Sequence, residues 1–159
     1  MQVWPLLHPG SFSAMACGAI LAEKLRPLKP DVVIGLPTLG LTLAAAVARH
    51  LGHSRYVPLG TSRKFWYLEE LSVPMSSITT KQEKRLYIDP RMLPLIEGRR
   101  VVLVDDVISS GSSIISGLSL LASSGIKPVV IGAAMLQSDR WVQKIACRAG
   151  VWHQASRGR

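Results

Sequence analysis

The chain has 159 residues, 48% of them hydrophobic, and carries 19 Lys and Arg against 10 Asp and Glu, a net charge of +9. That length supports one domain with a core of its own, and a mean hydropathy of +0.26 argues against a disordered chain. Cys17 and Cys147 lie far apart with no CxxC or His/Cys cluster, which argues against a disulfide framework or a zinc site and suits thiols in a reducing cytoplasm.

In chain order, Ser11 or Ser13 is placed to cap a helix running to about Leu25, ended by Arg26-Pro27. The apolar run 31–35 after Pro30 suits a buried strand. Residues 42–51 read as an Ala-rich helix with Gly52 as its stop signal, and residues 55–59 as a second strand. The uncharged stretch 32–48 is broken by Gly35, Pro37 and Gly40, so strand, loop and helix is a better reading than a membrane span. The N-terminus has no basic run and is broken early by His8-Pro9-Gly10, so no signal peptide is expected and the cytoplasm is the expected compartment.

Residues 61–89 are polar and mixed. They read as a strand end, an extended excursion and a strand returning around residues 85–88. Residues 100–105, RVVLVD, form the clearest strand, and residues 112–122 follow as a helix with Ile114, Ile115, Leu118 and Leu121 on one face. Residues 128–135 are another apolar strand, 139–148 a helix and 150–153 a last short strand. Strands alternating with helices predict an α/β fold over residues 1–159, a mostly parallel sheet flanked by helices on both faces. Ligands bind such sheets beyond the carboxyl ends of the strands, which directs attention to the loops after Gly35, Leu59 and Val104.

The segment VVLVDDVISSGSS carries the chemistry. Val101, Val102, Leu103 and Val104 bring a strand through the core. Asp105 and Asp106 stand at its expected carboxyl end, exposed. Ser109, Ser110, Gly111, Ser112 and Ser113 then open a helix, where small side chains let backbone N–H groups approach an anion and the helix terminus adds partial positive charge. The two carboxylates can accept hydrogen bonds from sugar hydroxyls or hold a magnesium hydration shell. Between the first strand and its helix, GLPTLGL (35–41) is a second glycine-punctuated turn suited to an anion.

VVLVDDVISSGSS resembles the phosphoribosyl pyrophosphate (PRPP) motif of the type I phosphoribosyltransferases, and the likeness extends over about residues 11–136. By that resemblance Asp105 and Asp106 bind the ribose hydroxyls of PRPP, and the metal only indirectly, through PRPP and water. Ser109–Ser113 hold the 5-phosphate, and Thr38, Leu39 and Gly40 face the pyrophosphate. Arg63 and Lys64 occupy the place of an Arg-Lys pair of the adenine enzymes and are suited to neutralising pyrophosphate. Residues 76–85 resemble in position the family's mobile catalytic loop, whose closure excludes water. There Lys81, Lys84 and Arg85 are placed to meet the leaving pyrophosphate and Glu83 to accept a proton. Val107 and Trp141 are candidates for the base, Trp141 by stacking, although a core tryptophan is an equal reading. Phe65, Trp66 and Tyr67 form an aromatic cluster suited to an interface, and the four histidines show no ligand spacing.

The resemblance also implies Mg²⁺ on PRPP, a homodimer, and a small hood over the base built from the N-terminus or residues 137–159. The implied activity moves ribose 5-phosphate to a nucleobase. Ser109 stands where 6-oxopurine enzymes usually carry Asp, residues 76–85 lack the His of orotate enzymes, and both acids are present where uracil enzymes usually replace the first. An adenine-like purine is therefore expected. The rival reading is a PRPP- or nucleotide-sensing regulator that binds RNA or DNA. It requires a basic face away from the PRPP loops, with Arg99, Arg100, Arg140, Lys144, Arg148, Arg157 and Arg159 as its candidates.

Overall fold

The computed structural model describes residues 2–4, 13–75, 84–138, 140–149 and 153–154, and it shows an α/β architecture. Strands β1 (Gln2–Trp4), β2 (Val32–Gly35), β3 (Val57–Pro58), β6 (Val101–Ile108), β7 (Val130–Leu136) and β8 (His153–Gln154) form one sheet in the order β3-β2-β6-β7-β1-β8. Every pairing in it is parallel. Strands β4 (Ser72–Met75) and β5 (Lys84–Tyr87) form a separate antiparallel pair. Helices α1 (Ala14–Leu25), α2 (Leu39–His50), α3 (Ser112–Ser123) and α4 (Arg140–Ala149) supply the covering layers.

Successive side chains of a strand point to opposite faces, and the core divides accordingly. Val33, Val102 and Val104 join Leu21, Leu25, Leu43 and Val47 of α1 and α2 in one cluster. Ile34, Val101 and Leu103 join Ile114, Leu120 and Leu121 of α3 and Trp141 and Ile145 of α4 in the other. Parallel strands buried on both faces need such unbroken apolar runs. Helices α1 and α2 meet where Gly18 faces Ala46: a Cβ on Gly18 would lie 2.4 Å from the Ala46 Cβ.

Three boundaries differ from the sequence expectation. Helix α2 starts at Leu39, not Thr42, so Gly40 sits in its first turn. Strand β3 has only two residues. Strand β6 continues to Ile108, because β7 runs beside it with Val107 paired to Met135 and Ile108 to Leu136. Strand β1 was not expected; three residues carry no readable period, yet it pairs with both β7 and β8.

The excursion leaves the sheet edge through Gly60, which bridges Tyr87, and is pinned at its base by Asp89. That carboxylate accepts from Trp66 Nε1 at 3.1 Å, from the Arg91 amide at 3.0 Å and from Arg91 Nη2 at 2.8 Å. The Arg91 guanidinium lies 4.4 Å over the Trp66 ring, a cation–π contact. Arg91 holds the Asp89 carboxyl down at about 2, with help from Trp66 and against the effect of burial. A carboxyl depressed in the folded state contributes stability that is present above its unfolded value near 3.8 and lost as pH falls toward about 2. Asp89→Asn is therefore expected to destabilise the protein by about 1–3 kcal/mol at neutral pH. In thermal melts across pH, its deficit should close as the medium approaches about pH 2.

Candidate active site

The carboxyl ends of β2 and β6 lie side by side, with Gly35 paired to Val104 and the Leu36 amide donating to the Val104 carbonyl at 2.9 Å. Two turns leave from there. One, Leu36–Thr38, carries a cis peptide between Pro37 and Thr38 and opens α2. The other, Ser109–Gly111, opens α3. Both helices therefore direct their N-terminal N–H groups to this end of the sheet, where partial positive charge favours an anion.

The acid pair lies within β6, and the expectation of two exposed carboxylates at a strand end is corrected. Asp105 is 5% exposed and Asp106 is half-buried. The cause is the continuation of β6 against β7 together with the first turn of α2. A Cβ on Gly40 would lie 2.9 Å from Asp105 Oδ1 and 3.0 Å from the Asp105 Cα. Asp105 Oδ1 accepts the Asp106 amide at 3.0 Å. Burial pushes the Asp105 carboxyl up to about 8, reinforced by hydrogen bonding with the Asp106 side chain and by its charge, while the Asp106 amide opposes the rise. Asp105 therefore keeps its proton at neutral pH.

In the serine loop, Gly111 takes φ of +78° as the residue before α3, a conformation that favours glycine. A Cβ there would also lie 2.8 Å from the Trp141 Cβ. Ser110 Oγ and Ser112 Oγ are 2.9 Å apart, and the Ser109 carbonyl accepts from Ser138 Oγ at 2.8 Å. Ser109 is exposed, and Ser110, Ser112 and Ser113 are half-buried. Thr38 and Leu39 are exposed at the start of α2, and Thr38 makes no side-chain cap bond.

The structure thus brings Asp105, Asp106, the serine loop and residues 38–40 to one end of two neighbouring strands. Val107 is half-buried beside them on β6. Trp141 is a correction to the stacking assignment: it is 3% exposed, packed in the core under α3, with no face left for a base. Arg63 pairs with Glu69 at 3.3 Å and Lys64 is exposed. Neither forms a hydrogen bond or ion pair with the acid pair or the serine loop among the described residues. Arg85 is directed to Ser72 Oγ at 2.7 Å and to Glu69 at 3.4 Å. Lys81 and Glu83 lie outside the described residues, as do parts of both segments expected to form the hood, residues 5–12 at the N-terminus and 150–152 and 155–159 at the C-terminus. The two described groups of basic residues named for a nucleic-acid face stand at opposite ends of the sheet. Arg99 and Arg100 precede β6, whereas Arg140 opens α4 after β7.

Sequence reasoning missed two contacts that shape the site, Gly40 on Asp105 and Ser138 on Ser109. The signal for the first was a glycine that no turn required; Ser138 carried none. Among the described residues no group of three or more His, Cys, Asp or Glu side chains comes together. No helix among them is long and apolar enough to cross a membrane.

Comparison with known proteins bears on the family and the fold. Residues 7–151 match the phosphoribosyl transferase domain family. The adenine phosphoribosyltransferase of Albidiferax ferrireducens is 31% identical over 139 residues, 85% of this chain and 66% of that protein. The adenine phosphoribosyltransferase of Xanthomonas oryzae pv. oryzae is 31% identical over 135 residues, 85% of this chain and 68% of that one. A hypoxanthine/guanine phosphoribosyltransferase of Methanobacterium lacus is 30% identical over 135 residues, 85% of this chain and 65% of the relative. The chain thus spans about two thirds of the length of these relatives. In fold it is similar to the adenine phosphoribosyltransferase of Giardia lamblia complexed with 9-deazaadenine, with a TM-score of 0.71, 18% identity, and coverage of 86% of this chain and 74% of that one. With the family match covering both loops and the acid pair, and with this sheet, the chain belongs to the phosphoribosyl transferase domain family.

Proposed function

We propose that the chain transfers ribose 5-phosphate from PRPP to a purine, with adenine or an adenine-like base preferred, and releases pyrophosphate. The observation that carries this reading is the meeting of two helix N-termini and a carboxyl pair at the ends of β2 and β6. Two anion cradles flanking two carboxylates match a ribose that bears a phosphate on one side and a pyrophosphate on the other. In this reading Ser109–Ser113 and the first N–H groups of α3 hold the 5-phosphate. The amides of Thr38, Leu39 and Gly40 hold the pyrophosphate. Asp106 accepts the ribose hydroxyls, and Asp105 orients Asp106 by accepting its amide N–H.

Magnesium fits the donor set, since this cation is commonly held by one or two carboxylates, water and substrate phosphates rather than by a full protein cage. Asp106, with Asp105 behind it, would hold it through water. When bound it would supply charge neutralisation to the departing pyrophosphate. The chain's own contribution is positioning and fixed dipoles aimed at the charge that develops as the anomeric C–O bond breaks. Lys81 and Glu83 belong to this reading as the cation that meets pyrophosphate and the proton acceptor for the base. Arg63 and Lys64 also belong to it, with Arg63 exchanging Glu69 for pyrophosphate. Val107, half-buried at the strand end, borders the base. A homodimer completes the reading, with Phe65, 96% exposed and packed edge-on against Trp66, as its interface anchor.

The relatives divide between adenine and hypoxanthine/guanine enzymes, so the decisive measurement is kcat/KM for adenine, hypoxanthine and guanine with PRPP and Mg²⁺. Adenine is expected to lead by at least tenfold. A 6-oxopurine preference would remove Ser109 as the discriminating position, and no turnover with any base would sink the enzymatic reading.

A second prediction concerns Asp105. Its folded-state value is raised, so the folded chain keeps a proton that the unfolded chain releases above about pH 4. Its contribution to stability therefore falls as pH rises between about 4 and 8, by at most about 1.4 kcal/mol per pH unit. Asp105→Asn should flatten the pH dependence of the melting temperature across that window and raise it near pH 8. PRPP affinity of the same variant is expected to drop at least tenfold. Unchanged affinity would remove the acid pair from the site.

A further inference from the structure

A cleft of about 410 Å³ opens at the other end of the sheet, lined by Arg55, Arg99, Ser54, Asp31, Leu95 and Val57 among others. It lies at the amino ends of β2 and β3, where Asp31 precedes one strand and Arg55 the other, and Arg99 stands just before β6. The serine loop and acid pair lie at the carboxyl ends of the same strands, so the cleft is separate from the site described above. Its volume is within the range of small-molecule sites.

The lining has the two parts that a phosphorylated small molecule with a flat apolar body requires. Val32, Pro94 and Leu95 provide apolar surface, with the buried Val57 behind them. Arg55 and Arg99 are exposed at its edge, and neither is engaged in a salt bridge among the described residues. Their planar guanidinium groups suit bidentate contact with a phosphate. Asp31 is the single acid of the lining. Its Oδ2 already accepts the Arg100 amide at 2.8 Å, and the remaining lone pairs suit a hydroxyl or amino group rather than the phosphate.

The charge around the cleft points the same way. Lys29, Arg49 and Lys127 are exposed at this end of the sheet. Two neighbouring arginines are occupied structurally: Arg26 pairs with Glu23 at 2.7 Å, and Arg100 donates to the Leu28 carbonyl at 2.6 Å. With Glu97 and Asp31 as the acids beside them, the basic side chains still predominate, and such an excess beside a low-dielectric cleft raises the local concentration of an anionic ligand. We infer that this cleft is a second ligand site, which takes a phosphate monoester with a flat apolar body, such as a nucleoside monophosphate, with Arg55 and Arg99 on the phosphate.

Calorimetric titration with AMP tests this, with inorganic phosphate as a second probe. The wild-type chain is expected to bind AMP at two sites. Ser113→Glu, which places a negative charge in the serine loop while suiting the first turn of a helix, should remove one site. Arg55→Ala with Arg99→Ala should weaken the other at least tenfold, with an unchanged melting temperature because both side chains are exposed. Arg49→Ala with Lys127→Ala, outside the lining, should change neither site by more than about twofold, as expected when only the screened field is altered. Inorganic phosphate binding as tightly as AMP at the second site would show that the apolar floor is unused and overturn the nucleotide assignment. An unchanged second site in the Arg55/Arg99 variant, or equal weakening in the Arg49/Lys127 variant, would overturn the cleft itself. A single wild-type site lost in Ser113→Glu would do the same. A site lost in the Arg55/Arg99 variant but untouched by Ser113→Glu would support the cleft and remove the serine-loop reading instead.

Discussion

The close approach of Gly40 to Asp105 sets the geometry on which the site depends. A helix can start this near a strand only where it has no side chain, and any Cβ at Gly40 would meet both a carboxylate oxygen and backbone of β6. With glycine there, the first turn of α2 closes over the strand end and removes Asp105 from water. The same contact fixes the spacing between the two helix N-termini, because α3 leaves β6 only a few residues later. The two helix N-termini and the carboxylates between them are thus held by a single steric fit, rather than by separate loops that must find their positions.

Burial of one carboxylate beside another has an electrostatic consequence. Burial disfavours the ionised form of Asp105, the neighbouring Asp106 adds to the effect, and the buried carboxyl keeps its proton. Asp105 then acts as a hydrogen-bonding support for the half-buried Asp106, whose amide it accepts. An apolar residue at Asp105 would pack as well but would leave the Asp106 amide without this partner.

Much of this arrangement was legible before any coordinates. The apolar run before Asp105, the small residues after Ile108 and the alternation of strands with helices all follow local rules, and the parallel sheet follows from them. What sequence could not show were contacts made across the fold. Gly40 read as a turn glycine because turns are the commonest use of glycine beside proline, whereas here it serves helix-to-strand packing. Trp141 read as a candidate ring for the base, but its place under Gly111 depends on the angle at which α4 returns to α3, which no local pattern encodes. The extension of β6 through Asp106 likewise depends on β7 running beside it, a pairing between segments far apart in the chain.

The burial of Trp141 changes how the serine loop is supported. Gly111 has φ of +78°, and its missing side chain is replaced in space by the Cβ of Trp141. On the other side of the loop, Ser138 holds the Ser109 carbonyl. Both supports come from the junction of β7 and α4, Ser138 before the helix and Trp141 in its first turn, so the serine loop is braced from outside. A cradle built from Ser and Gly has little side-chain packing to hold its amides in place, and amides preorganised toward a phosphate bind it without first being ordered. The tryptophan therefore serves the site by rigidity: it occupies the volume that would otherwise let Gly111 relax, and in doing so it gives up the exposed face that contact with a base would need.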